Sequence, residues 1–275
     1  MISLKIGSAW LAASTLAIAV AASAPACATT LYSQGFETDT SGWNSPTRVA
    51  SGTDGITAAS GGYYAQATTD NTTWGTYNNS TGGSPGAFQP YTTSIKIYLD
   101  VGAGAANDTR FDFSSAISHP DGSFLRDFIF NVGFYNDGTG PGAGSDRFIV
   151  SASNNSSPGS AFPKNPDKSP IAIETTGWYT FEHAFIDNGG QLEVDMNILD
   201  SSNALVASWI LGGDAIGEVG GNRYGWFDTN QFSYLAIDDA SLTAPTAATP
   251  LPATLPLLAG GLTAMGFLRR RKKTA

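Results

Sequence analysis

One cysteine and two histidines in 275 residues leave little room for thiol or imidazole chemistry. The single thiol, Cys27, stands in Ala26-Cys27-Ala28; a chain trimmed there has neither a disulfide nor a thiol nucleophile. His119 precedes Pro120 in a turn, and His183 shares a strand face with Tyr179, Phe181 and Phe185, the setting of a semi-buried structural imidazole. Two histidines exclude a His-rich metal site and give a Ser-His-Asp triad few ways to assemble. No serine occupies a Gly-x-Ser-x-Gly elbow, so no catalytic residue is assigned. Positive charge is scarce as well. Once Lys5 and the five cations Arg269 to Lys273 are set aside, eight Lys and Arg face all 23 acidic residues, a net charge near −15. That balance disfavours nucleic acid and anionic membrane surfaces as partners and favours cations.

The two ends read as addresses. Lys5, the apolar run Ala9–Ala22 and the Ala-x-Ala site at Ala26-Cys27-Ala28 have the three parts of a secretory signal peptide over residues 1–28, with mature protein from about Thr29. At the other end, Pro250-Leu251-Pro252-Ala253 leads into the uncharged stretch Leu257–Leu268, closed by Arg269, Arg270, Arg271, Lys272 and Lys273. As a helix that stretch rises about 18 Å against a hydrocarbon core of about 30 Å, so it spans only if it starts near Pro250, with a kink at Pro256. The cations orient it with residues 269–275 on the cytoplasmic side. A short Ala/Thr/Pro linker, 244–250, precedes it.

This order of motif, apolar run and basic end over residues 249–273 resembles the PEP-CTERM sorting signal of Gram-negative bacteria in its Pro-Leu-Pro-Ala variant. The resemblance implies export across the inner membrane, a transient membrane anchor, processing by an exosortase-type membrane protease and delivery to the cell surface or extracellular matrix. Thr249 replaces the more usual Val before the core motif.

Between the ends, residues 29–243 have the pattern of one all-β domain. Ile95, Ile97, Leu99 and Val101 alternate with Ser94, Lys96, Tyr98 and Asp100; Leu192, Val194, Met196 and Ile198 alternate with polar residues; and Phe128, Phe130, Val132 and Phe134 form a more aromatic version. Turn clusters such as Asn136-Asp137-Gly138 and Asn188-Gly189-Gly190 punctuate these strands, and no mature segment has a long helical period. The expected architecture is a single β-sandwich, with a signal helix before it and a hydrophobic helix after it. Asn136–Asp146 and Asn154–Pro170 read as long ordered loops or insertions.

Gly35-Phe36-Glu37 with Ser41-Gly42-Trp43 at the start, and Leu235-Ala-Ile-Asp-Asp-Ala-Ser-Leu242 at the end, resemble the opening and closing signatures of jelly-roll carbohydrate-binding modules and related concanavalin-like sandwiches. The resemblance implies a structural calcium held by Glu37 with Asp238 or Asp239. Neighbouring strand residues point to opposite faces, so both aspartates reach one ion only across a bulge. Calcium also needs six to eight oxygens, which two carboxylates do not supply alone. Asn107-Asp108 with Asp112 forms another acidic cluster, without regular calcium-loop spacing.

Polysaccharide is the expected ligand, because aromatic rings stack on the C–H faces of pyranoses. Trp74, Trp178, Trp226 and Tyr224 are the foremost candidates, with Tyr77 and Trp209 beside them. Glu193-Val194-Asp195-Met196-Asn197 resembles the catalytic strand of laminarinase-like glycosidases, but Asn197 or Ile198 stands where the second carboxylate belongs. Three readings follow: a carbohydrate-binding or adhesive surface protein, a purely structural matrix protein, and a glycoside hydrolase.

Overall fold

The computed structural model describes residues 28–68, 72–74, 86–154 and 163–245. The stretches that read as a signal peptide (1–27) and as a sorting signal with its hydrophobic segment (250–273), and Tyr77, lie outside them. Among the described residues no helix is long and apolar enough to cross a membrane.

Among the described residues fifteen strands form two antiparallel sheets, a jelly-roll β-sandwich. They are β1 (Ala28–Gln34), β2 (Trp43–Asn44), β3 (Pro46–Ala50), β4 (Tyr63–Ala67), β5 (Thr73–Trp74), β6 (Tyr91–Leu99), β7 (Thr109–Ser118) and β8 (Phe124–Tyr135), followed by β9 (Arg147–Asn154), β10 (Ile171–Ile173), β11 (Gly177–Asn188), β12 (Gln191–Leu199), β13 (Leu205–Ala215), β14 (Gly221–Asp228) and β15 (Leu235–Pro245). Sheet A runs β13-β12-β11-β6-β15-β4-β3, with β1 also paired to β15, and sheet B runs β10-β9-β8-β7-β14-β5-β2. The final strand extends to Pro245, opposite Ala28, two residues into the stretch that reads as linker.

The alternation visible in the sequence becomes the core. Ile95, Ile97 and Leu99 of β6 and Val194, Met196 and Ile198 of β12 are fully buried against Phe111, Phe113, Phe128, Phe130, Val132 and Phe134 of sheet B. The rings interlock edge to face: Phe130 meets Phe181 at 5.2 Å and 89°, and Phe128 meets Phe185 at 5.6 Å and 82°. His183 is buried among Phe113, Phe130 and Phe185, with Nε2 3.1 Å from the Phe128 carbonyl. Burial lowers its pKa to about 3, so the imidazole is neutral.

One buried cation orders the glycine-rich loop 136–146. The Arg147 guanidinium donates to the carbonyls of Pro141 (2.6 Å), Ser145 (2.7 Å), Asp137 (3.1 Å) and Thr139 (2.7 Å), wrapping the loop around itself. Gly142, at φ +63°, passes so near this centre that a Cβ would lie 2.8 Å from Arg147 and 2.6 Å from Glu174. Lys164 bonds both carboxylate oxygens of Asp137 at 2.6 Å, and this bond leads the causes that hold Asp137 well below the usual carboxylate range.

Candidate functional site

Strand β15 contains a bulge at the two aspartates. Asp238 stands opposite Lys96 and Ser241 opposite Ser94, so Asp239 and Ala240 together oppose Ile95. Asp239 takes the extra residue at φ +46°, which turns its side chain to the same outer side of sheet A as Asp238. Glu37 reaches the same loop from the start of the chain. Its carboxylate accepts from the amides of Gly62 (3.0 Å) and Tyr63 (3.2 Å), while Arg48 donates to its carbonyl. Asp238 accepts from the amides of Ala59 (2.9 Å), Ser60 (3.2 Å) and Asp239 (2.8 Å); Asp239 accepts from the Ser60 hydroxyl (2.7 Å) and the Lys96 ammonium (2.7 Å). Gly61, at φ +60°, has no room for a side chain, since a Cβ would lie 2.3 Å from Glu37.

The structure thus brings the three sequence-predicted acids to one loop, but their lone pairs already meet N–H groups, a hydroxyl and an ammonium. A calcium cage needs those lone pairs free, and Lys96 places a positive charge where the ion would sit, so this donor set does not fit the metal as arranged. Among the described residues no three His, Cys, Asp or Glu side chains gather as a metal site. Burial, with Asp239 next to it, raises Asp238 to about 7, its three amide bonds notwithstanding.

Beside this cluster a groove of about 390 Å³ opens on the outer face of sheet A, lined by Gln34, Ser94, Lys96, Thr180, Glu182 and Asp239 among others. Its polar groups largely satisfy one another: Lys96 with Asp239, Ser94 with Ser241 at 2.9 Å, and Asn197 donating to Glu182 at 3.0 Å. Trp178 is on this face, its indole bonded to the Thr57 carbonyl (2.8 Å) and its ring edge-on to Tyr98 (5.3 Å). Glu193 and Asp195 belong to the same side of sheet A, where Asn188 donates to Glu193 (2.7 Å). Trp209 is tied down through its indole to the carbonyls of Lys168 and Ser169.

The outer face of sheet B is different. Strand register places Ser151 of β9, Asn131 of β8, Asp112 of β7 and Asp228 of β14 in one row across four strands. The next row holds Ser153, Ile129, Ser114 and Trp226, and Asp127 follows in the third. Ser153 donates to the Asn131 carbonyl oxygen (2.6 Å) and Asn131 donates to Asp112 (2.9 Å), a relay that fixes the amide's orientation. Asn131 and Ser151 are fully screened from water, Asp127 nearly so, and Asp112, Asp228 and Trp226 are half-buried. The Ser151 hydroxyl is buried without a hydrogen-bond partner. Burial raises both Asp112 and Asp127 to about 6; Asn131 pulls the first back and the Trp226 indole the second, while the Asp228 charge adds to both rises.

Of the four foremost aromatic candidates, Trp74, Tyr224 and Trp226 belong to the adjacent strands β5 and β14 of sheet B, whereas Trp178 is on sheet A. Asp127, Asn131, Ser151, Ser153 and Asp228 escaped the sequence reading. The available signal was the spacing Asp127-x-Ile-x-Asn131 between the buried phenylalanines.

The fold and these faces define a jelly-roll sandwich with a polar outer sheet. No family model matches the chain, and no curated protein does. Among solved structures, peanut lectin with a nine-residue peptide is similar at 10% identity, over 82% of this chain and 100% of that one, with a TM-score of 0.41. Winged bean acidic lectin with methyl-α-D-galactose is similar at 11% identity, over 78% of this chain and 99% of that one, with a TM-score of 0.37. At such low identity and superposition the likeness assigns neither ligand nor site to this chain.

Proposed function

We propose that this chain is an exported surface or matrix protein whose sandwich binds polysaccharide on the outer face of sheet B. The observation that carries the reading is the row Ser151–Asn131–Asp112–Asp228 with Trp226 beside it. A sugar ring offers hydroxyls that both donate and accept, and an apolar C–H face. The row offers two half-buried carboxylates, Asp112 and Asp228, next to the half-buried Trp226 indole that supplies a platform, while the screened Asn131 amide behind them holds Asp112 in place. These groups are mounted on strands, so binding costs little ordering entropy.

The sorting tail supports delivery. A Pro-Leu-Pro-Ala motif, an apolar run and five cations suit an exosortase-type membrane protease that processes the chain at the inner membrane and passes the domain to the cell surface. Binding is tested by pull-down on purified exopolysaccharide: wild type is retained, and Asn131→Ala and Trp226→Ala lose retention while keeping their circular dichroism. Mass spectrometry of the surface-exposed protein tests the address, because an intact C-terminus ending at Ala275 contradicts processing.

One observation favours hydrolysis as a second reading. Asp112, raised to about 6, directly opposes Asp228, a juxtaposition that suits an acid and a nucleophile better than Glu193 does. Release of reducing ends from the bound polysaccharide, abolished in Asp228→Asn, would establish it; a chain length unchanged after prolonged incubation leaves binding alone.

A further inference from the structure

We infer that β13 is a self-association edge, through which two copies of this chain pair antiparallel and join their A sheets. An open strand edge is a template for pairing, and proteins that stay apart shorten it or mark it with proline and charge. Among the described residues five strands pair on one side only, and three of them carry such devices: β3 has Pro46 and Arg48, β10 is three residues long and follows Pro170, and β2 is two residues long. Strand β1, paired to β15 alone, has neither proline nor charge but only seven residues, with Leu31 its one exposed large hydrophobic residue. Strand β13 has eleven residues, no proline and no cation, and among the described residues no strand pairs with its far side.

Its surface is apolar as well. Leu205 (61% exposed), Val206 (40%) and Ile210 (67%) are three of the six large exposed hydrophobic residues in the described part of the chain. Charge selects a second copy as the occupant. The body carries a net charge near −15, so two copies repel wherever acidic surface meets acidic surface. Leu205–Gly213 is free of charge, and the following Asp214 is neutralised by Arg126 at 2.6 Å and nearly buried. An uncharged strand paired to itself about a two-fold axis is self-complementary. Gly212 and Gly213, at φ +143° and +102°, turn the end of the strand, which leaves 205–211 as the pairing segment.

Residues 28–246 form one compact unit that contains both sheets and the core, so that unit is the sample. Sedimentation velocity over about 1–100 μM is expected to show a monomer–dimer equilibrium that tightens as salt screens the acidic bodies. Leu205→Lys/Ile210→Lys, two changes at exposed positions that leave the core intact, should weaken association by at least about tenfold. Amide hydrogen exchange should show protection within 205–211 that grows with concentration, as backbone pairing requires. A monomer throughout, a dimer unaffected by the double substitution, or a dimer whose 205–211 amides exchange as fast as in the monomer would each overturn the inference; the last would mean face-on packing or another occupant of the edge.

Discussion

Glu37, Asp238 and Asp239 on sheet A each meet backbone amides, a hydroxyl or an ammonium at both carboxylate oxygens, whereas Asp112 on sheet B is half-buried with the Asn131 amide as its partner and a charged neighbour in Asp228. The residue type is the same, yet the consequences diverge. In the first cluster the acids close the chain: they pin the loop 59–63 to the junction where β15 exchanges β4 for β1 as its partner. In the second, Asp112 accepts from the Asn131 amide and faces Asp228 across the strand pair, an arrangement that closes no part of the chain and that a ligand can reach.

The contrast predicts its own breakage. Asp238→Ala strands the Ala59, Ser60 and Asp239 amides in a water-poor site and should cost about 3 kcal/mol in denaturant unfolding. Asp112→Asn, on the other sheet, keeps the shape and removes a carboxylate that is costly to ionise. At pH 8 it should raise stability by on the order of 1 kcal/mol. Destabilisation by both substitutions alike would erase the distinction.

The pH dependence of stability sharpens it. Asp112 and Asp127 at about 6 and Asp238 at about 7, all raised from 3.8, keep protons in the fold that the unfolded chain has lost, so each lowers stability as pH rises from about 4 through its folded value. His183, depressed from 6.5 to about 3, acts in the opposite sense: its contribution is present above pH 6.5 and is lost as pH falls toward 3. Three groups outweigh one between pH 5 and 8. Melting temperature should therefore fall across that interval, and Asp238→Asn should flatten the upper part of the slope. A flat profile in the wild type would show that the acids are not held as described.

The smallest expected effect is that of chelation. With the Glu37, Asp238 and Asp239 lone pairs committed to N–H groups and Lys96, EDTA should leave the melting temperature unchanged. A drop restored by calcium would show that the loop rearranges around an ion.

Strands β6 and β12 were legible because their alternation is strict, and the phenylalanine-rich β8 was legible for the same reason. Strands β7 and β14 were not. In β7 the pair Ser114-Ser115 breaks the pattern, because Ser115 faces inward, where it meets Thr93 (3.4 Å) and Asn222 (3.3 Å) in a buried polar cluster rather than in hydrocarbon. Gly221 and Gly225 weaken the strand signal of β14. Without those two strands the row from Ser151 to Asp228 cannot be seen, since its members are joined only by register. The meeting of the first and last strands was legible from Phe36-Glu37 and Asp238-Asp239. The role of those acids was not, because loop 59–63, which occupies them, carries no sequence mark except the turn pair Gly61-Gly62.

The division of labour between the two faces is tested most directly by affinity electrophoresis in gels containing the exopolysaccharide, with wild type, Asn131→Ala and Glu37→Ala run side by side. Wild type and Glu37→Ala should be retarded alike, and Asn131→Ala should migrate as in a sugar-free gel. Retardation retained by Asn131→Ala and lost by Glu37→Ala would contradict the assignment of binding to sheet B.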